Sequence, residues 1–116
     1  MWLFSKAGFL SVVNHLYKPG HLLVRARAEE DIDHIARLLA EETGREWTPQ
    51  VTPDADYLYR MDVPRGDFAR VVLRLIEELD YPNFKASVHG DPRRGRAYGR
   101  VWSIMAEFQE EEMFRR

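Results

Sequence analysis

The tripeptide Lys18-Pro19-Gly20 constrains this chain most, because it marks a tight turn between two strand-like segments. Proline presets φ at the first central position of a β-turn, and glycine tolerates a positive φ at the second. Residues 9–16 before the turn and residues 21–27 after it are rich in apolar and β-branched side chains. The pattern therefore predicts a β-hairpin. Residues 2–4 are expected to extend its first strand, with Gly8 at a bulge or bend.

Three later segments show the apolar periodicity of helices. The first runs from about Glu29 to Glu42 and the second from Pro64 to about Leu79. The last runs from about Ala97 to Arg115, where the spacing of Glu111 and Glu112 from Arg115 and Arg116 favours ion pairs. A single helical turn capped by Asn83 is predicted before it. Residues 89–96 are predicted to be a loop, because they contain two glycines and a proline.

The order of these elements decides the predicted fold class. A third strand is expected at Asp56–Val63, with residues 46–51 as an optional further one. The order ββαβαα predicts an α/β (α+β) fold, a two-layer sandwich with a mixed, mostly antiparallel sheet, as a variant of ferredoxin-like arrangements. A parallel strand–helix–strand crossover supplies the mixed character. The residues predicted to form the core are Ile35, Leu39, Phe68, Val72, Leu75, Val101, Trp102 and Met105.

The composition is that of a small globular protein. With 116 residues, 45% hydrophobic and 31% charged, one domain over residues 1–116 is expected. Cysteine is absent, which excludes disulfides, thiolate zinc sites and thiol nucleophiles. The first residues lack a signal-peptide pattern, and no apolar run approaches the roughly 20 residues that cross a bilayer. We therefore expect a cytoplasmic protein with no membrane partner, cofactor or metal.

Three stretches of the chain carry a resemblance. They are Met1-Trp2-Leu3-Phe4 with Gly8-Phe9 and Ser11-Val12-Val13, Thr52-Pro53-Asp54-Ala55-Asp56-Tyr57 with Tyr59-Arg60, and Asp80-Tyr81-Pro82-Asn83-Phe84-Lys85 with Val101-Trp102-Ser103. Together they resemble a group of small bacterial proteins of uncharacterised function, and they spread over most of the chain. The resemblance implies no activity, ligand or catalytic residue.

The predicted loop and the start of the last helix contain Arg93, Arg94, Arg96, Tyr98 and Arg100. Guanidinium groups match phosphate oxygens, and a tyrosine ring can stack on a base. The cluster is therefore a candidate contact for nucleic acid or a phosphate ligand. A solvated loop balanced by nearby acidic residues explains the same charges more simply. The glycine pattern of a phosphate or dinucleotide loop is absent.

Other polar and aromatic residues favour structural roles. Asp54 and Asp56 precede a strand, but a spacing of two directs them to opposite faces and weakens the case for a cation site. His15 and His21 flank the turn, which is fewer ligands than metal sites usually use. Trp47 is expected to anchor its loop to the core.

One face of the predicted sheet combines apolar residues with arginines, namely Leu23, Arg25, Arg27, Leu58 and Arg60. This mixture is typical of protein interfaces, and a sheet face can pair with its own copy across a two-fold axis. We therefore expect a homodimer that associates through this face.

The function expected from the sequence is that of a non-catalytic, self-associating interaction module. Binding of nucleic acid or a phosphate ligand through Arg93–Arg100 is the first alternative. A small enzyme is the second, although no nucleophile, base and orienting group come together in the sequence. No residue is assigned a catalytic, cofactor-binding or metal-binding role.

Overall fold

The computed structural model describes residues 1–115, and the chain divides into two compact units, Met1–Leu79 and a second unit that begins at Asp80. In chain order the first contains β1 (Trp2–Ser5), β2 (Gly8–Asn14), β3 (His21–Ala26), α1 (Glu29–Thr43), β4 (Gln50–Val51), β5 (Tyr59–Pro64) and α2 (Arg65–Glu77), and the second contains α3 (Phe84–Ser87) and α4 (Pro92–Phe114). No helix within residues 1–115 is long and apolar enough to cross a membrane.

The predicted hairpin is present, with β2 and β3 antiparallel and Val12 opposite Val24. The backbone N–H of His21 donates to the Lys18 carbonyl at 3.1 Å and closes the turn. Gly20 has φ +78°, a conformation that other residues rarely adopt. The local signal at the turn therefore predicts the hairpin correctly.

Residues 2–4 do not extend the strand that follows them, which corrects the prediction. They belong to β1, which reverses direction and pairs with β2 so that Phe4 lies opposite Phe9. Gly8 begins β2 with φ +125°. The backbone N–H of Phe9 donates to Oδ2 of the buried Asp31 at 3.0 Å, which ties the new hairpin to α1.

The sheet has the order β1-β2-β3-β5-β4. Its pairings within the described residues are all antiparallel, whereas the sequence predicted one parallel crossover. The reason is that the chain forms β4 between α1 and β5. Strand β5 then lies between β4 and β3 and runs antiparallel to both. The third predicted strand starts at Tyr59 rather than Asp56, and the optional strand appears at Gln50–Val51. The α+β class is confirmed.

Helices α1 and α2 pack on one face of the sheet and on each other, forming a two-layer arrangement. Alternation in β3 buries Val24 and Ala26 completely on this face. Of the predicted core residues, Ile35, Leu39 and Phe68 are buried. The partly buried side chains of Val72 and Leu75 pack against the same core.

The second unit starts its long helix earlier than predicted. The side chain of Asn83 caps α3 as expected, accepting from the Ala86 N–H at 3.1 Å. Asp91 caps α4 in the same way through the Arg94 N–H at 3.1 Å, with Pro92 as the first helical residue. Residues 92–96, predicted as loop, are therefore helical.

Three predicted core residues of α4 are exposed: Val101 by 38%, Trp102 by 57% and Met105 by 55%. The prediction was wrong because periodicity identifies an apolar face without identifying what covers it. Near the end of the helix, Arg115 donates to Glu112 at 2.8 Å. The ion pair predicted for Arg116 lies outside the described residues.

Candidate functional site

Helix α4 carries the most exposed apolar surface of the second unit. Tyr98, Val101, Met105 and Phe108 recur at spacings of three, four and three, which places them on one side of the helix. Among its described residues only Tyr98 is buried, and Phe108 is 53% exposed. The stripe formed by these four residues, called the α4 stripe below, is largely uncovered.

Two further large side chains flank the α4 stripe, one on each side. Trp102 is 57% exposed and Ile104 is 61% exposed. The ammonium group of Lys85 lies 4.3 Å from the centre of a Trp102 ring, a cation–π contact. The apolar surface is therefore wider than the α4 stripe alone.

Of the four predicted phosphate-contacting arginines, three share one face of α4 and Arg94 lies apart from them. Arg94 is held by Asp91 at 3.5 Å and donates to the Tyr98 hydroxyl at 2.6 Å. Arg93, Arg96 and Arg100 are exposed and recur at spacings of three and four, on the side away from the α4 stripe. Helix formation at residues 92–96 sets Arg94 apart from the other three, because each helical residue is turned by about 100° from the one before it.

Charge divides α4 into two halves. The basic half contains Arg93, Arg94, Arg96 and Arg100, and the acidic half contains Glu107, Glu110, Glu111 and Glu112. This order opposes the helix dipole, which favours negative charge at the N-terminus and positive charge at the C-terminus. This order of charges along α4 therefore does not stabilise the isolated helix.

A pocket of about 690 Å³ opens on the second unit. Its lining includes Lys85, Val88, His89, Asp91, Arg96 and Tyr98. The ring of Tyr98, one of these lining residues, stacks on Phe84 with centroids 5.6 Å apart. The backbone N–H of Arg94 donates to Asp91 and holds the pKa of that carboxyl below its ordinary value. Asp91 is therefore committed to capping the helix.

The sheet face away from the helices carries the predicted interface residues. Leu23 is half-buried and Leu58 is 38% exposed. Strand register aligns Ser11, Arg25 and Arg60 in one row across β2, β3 and β5. Residues directly opposite each other on one face have Cβ atoms about 5 Å apart. This face, called the outer sheet face below, therefore has two arginines side by side at its centre.

Tyr57 lies beneath two of these arginines. Its ring is buried, with Cζ of Arg25 4.5 Å and Cζ of Arg27 4.2 Å from the ring centre. The strand predicted over Asp56–Val63 includes Tyr57, but β5 begins only at Tyr59, so Tyr57 lies in the loop before it. The contact of Tyr57 with these two arginines, which the sequence did not predict, joins the loop before β5 to the outer sheet face.

Asp62 is a residue that the sequence analysis missed. Its carboxylate lies 2.5 Å from Lys18 Nζ and 2.7 Å from His21 Nδ1. Burial raises the pKa of Asp62, but the hydrogen bonds from Lys18 and His21 outweigh burial and bring the pKa below its ordinary value. The pairing of β3 with β5 brings Asp62 close to His21, and the sequence alone did not predict that pairing.

The remaining candidates have structural roles or remain exposed. Nδ1 of His15 accepts backbone N–H bonds from Tyr17 and Lys18, so it shapes the turn. The indole N–H of Trp47 donates to Thr43 at 2.9 Å while its ring packs against the core, as predicted.

Asp54 and Asp56 are both exposed. Among residues 1–115, no three histidine, aspartate or glutamate side chains are grouped to hold a metal ion. Compared with models of known protein families, with curated proteins and with solved structures, the chain shows no match.

Proposed function

We propose that this protein is a non-catalytic interaction module that forms a homodimer by antiparallel pairing of α4. The observation that carries the proposal is the α4 stripe, whose Val101, Met105 and Phe108 side chains are between 38% and 55% exposed. Spacings that alternate between three and four residues are those of a coiled-coil seam. Burial of this surface against a second copy removes apolar area from water.

The α4 stripe is symmetrical about Ser103, which suits an antiparallel pair. With a two-fold axis that crosses the α4 stripe at the level of residue 103, Val101 faces Met105 of the second copy, and Phe108 of the second copy lies level with Tyr98. Each contact then occurs twice, as a two-fold interface requires. Only a stripe that is symmetrical about its own midpoint pairs with itself in this way.

Charge favours the antiparallel direction. The same symmetry sets the basic half of α4 beside the acidic half of its partner. A parallel pair would align like charges, which costs free energy and disfavours that orientation. The reversed charge order along α4, which does nothing for an isolated helix, is useful in such a pair.

Self-association through the outer sheet face stays a prediction, and the chemistry there is less favourable. A two-fold pairing of that face would bring Arg25 and Arg60 close to the same arginines of the second copy. Like charges in a desolvated interface repel each other. We therefore locate the dimer contact on α4.

The nucleic-acid and enzyme alternatives also stay predictions. Arg93, Arg96 and Arg100 offer a basic helix face, but Arg94 is already engaged by Asp91 and the chain has a net charge of −2. The His21–Asp62 pair resembles a base with its orienting group. Among residues 1–115, no hydroxyl group is hydrogen-bonded to His21, so this pair lacks a nucleophile.

Light scattering of matched glutamate variants tests the dimer. The wild type is expected at twice the 13.7 kDa of one chain at micromolar concentration. Met105→Glu places a charge in the α4 stripe and should give a monomer. Ser103→Glu adds the same charge on the far side of the same helical turn and should stay dimeric. A monomeric wild type, or equal behaviour of the two variants, would refute the proposal.

Cysteine crosslinking tests the orientation, because the natural chain contains no cysteine. Ala97 and Glu111 lie on the same flank of the α4 stripe, towards opposite ends. A mixture of Ala97→Cys and Glu111→Cys chains should crosslink to each other, and neither should crosslink efficiently to itself. Self-crosslinking without mixed products would indicate a parallel pair and overturn the antiparallel arrangement.

A further inference from the structure

The centre of the outer sheet face contains an arrangement that the proposed dimer does not use. Arg25 and Arg60 are directly opposite each other on β3 and β5. Like charges in this cross-strand position destabilise a sheet unless something compensates them. The question is therefore what neutralises this pair.

Within residues 1–115, Arg25 has no acidic partner. Its Nη2 donates to the buried hydroxyl of Ser11 at 2.7 Å, and its guanidinium lies over the Tyr57 ring. Its Nε is buried without a hydrogen-bond partner among the described residues. A buried guanidinium N–H that is left unpaired is costly, and no carboxylate among residues 1–115 compensates the charge of Arg25.

The neighbouring arginines are positioned mainly by neutral oxygens. Arg27 donates to the Asp56 backbone carbonyl at 2.9 Å, and Arg60 Nε donates to the Thr52 hydroxyl at 3.2 Å. The carboxylate nearest to them is that of Asp56, 3.8 Å from Arg60 and 70% exposed. Three guanidinium groups therefore share one solvated carboxylate, which leaves an excess of about two positive charges.

We propose that Arg25, Arg27 and Arg60 form a binding site for a small dianionic oxyanion of the phosphate monoester class. Guanidinium forks match phosphate oxygens in pairs, and a dianion matches the excess charge. The buried Tyr57 ring and the Ser11 hydroxyl hold the guanidinium groups in place before the ligand arrives, which reduces the ordering cost of binding. The proposal concerns the first unit and is independent of α4 pairing.

A calorimetric titration of the protein with inorganic phosphate tests the site. Sodium chloride at matched ionic strength controls for screening, and acetate controls for a monoanion. We expect phosphate to bind, glycerol phosphate to bind similarly, and acetate and chloride not to bind measurably. Acetate binding as tight as phosphate would overturn the assigned ligand class, and the absence of phosphate binding would overturn the site.

Matched variants locate the binding. Arg60→Gln should weaken phosphate binding about tenfold or more, because it removes one guanidinium fork. Arg25→Lys keeps the charge but loses the fork and should also weaken binding. Arg70→Gln removes an exposed arginine of α2 and should bind as the wild type does. Unchanged affinity in Arg60→Gln and Arg25→Lys would overturn the proposal. Met105→Glu should still bind phosphate whether or not the dimer forms.

Discussion

Replacement of Gly8 by alanine is the sharpest test of how the first unit is assembled. Gly8 has φ +125°, which an L residue rarely adopts. A Cβ at this position would lie 2.7 Å from Oδ2 of Asp31 and closer still to Cγ and Oδ1. Asp31 is only 3% exposed, and its Oδ2 holds the Phe9 N–H. The methyl group therefore cannot be accommodated without moving a buried carboxylate.

Two effects set the expected magnitude for Gly8→Ala. A residue held in a sparsely populated backbone region costs about 1–3 kcal/mol. Loss of a buried hydrogen bond to a charged group costs about 1.5–3 kcal/mol more. Urea denaturation followed by tryptophan fluorescence should therefore show a loss of about 3 kcal/mol or more, a large part of the roughly 5–15 kcal/mol of a typical domain.

Gly20→Ala is the matched control, because Gly20 also has a positive φ, at +78°, but no other group lies within 4 Å of the place its methyl would take. It should cost only the backbone strain, about 1–2 kcal/mol. In an Asp31→Ala background, the cost of Gly8→Ala should fall to the backbone strain alone, about 1–3 kcal/mol, because the overlapping carboxyl is gone. Equal losses for Gly8→Ala and Gly20→Ala in the natural background would refute the overlap argument.

Two further predictions concern the core and the charged cluster of the first unit. Leu39→Ala should cost about 3–5 kcal/mol because its side chain is fully buried, whereas Leu73→Ala, at 54% exposure, should change the urea midpoint little. Asp62→Asn should lower stability at neutral pH, because the carboxylate bonded to Lys18 and His21 has a pKa below its ordinary 3.8. A lowered pKa contributes stability above pH 3.8 that is lost as pH falls through the folded-state pKa, so wild type and variant should converge in acid. A difference that persists or grows in acid would contradict this assignment.

Local signals predicted the parts of the fold that depend on neighbours along the chain. The turn at Lys18-Pro19-Gly20 predicted its hairpin because proline fixes φ at the first central position and glycine permits a positive φ at the second. The N-cap at Asn83 was likewise predicted from the local sequence alone. Asp91 followed by Pro92 is an equally good helix-start signal, but the two glycines and the proline of residues 89–96 predicted a loop there.

The candidate sites depended on information that the sequence does not contain. Arg25 and Arg60 are 35 positions apart, and only the antiparallel pairing of β3 with β5 makes them neighbours. The predicted parallel crossover would have given a different register. The same pairing brings Asp62 close to His21, and the loop before β5 places Tyr57 against Arg25 and Arg27.

The sequence by itself determined the central hairpin, the three longer helices, the α+β class and which face of each helix is apolar, because these follow from periods of two and 3.6 residues and from turn chemistry. Only the tertiary structure decided which apolar faces are covered. The stripes of α1 and α2 meet the sheet, while the α4 stripe remains largely exposed. The physical reason is that hydrophobic burial is non-directional. An apolar pattern therefore identifies a helix face that burial would stabilise, but long-range packing decides which element covers that face.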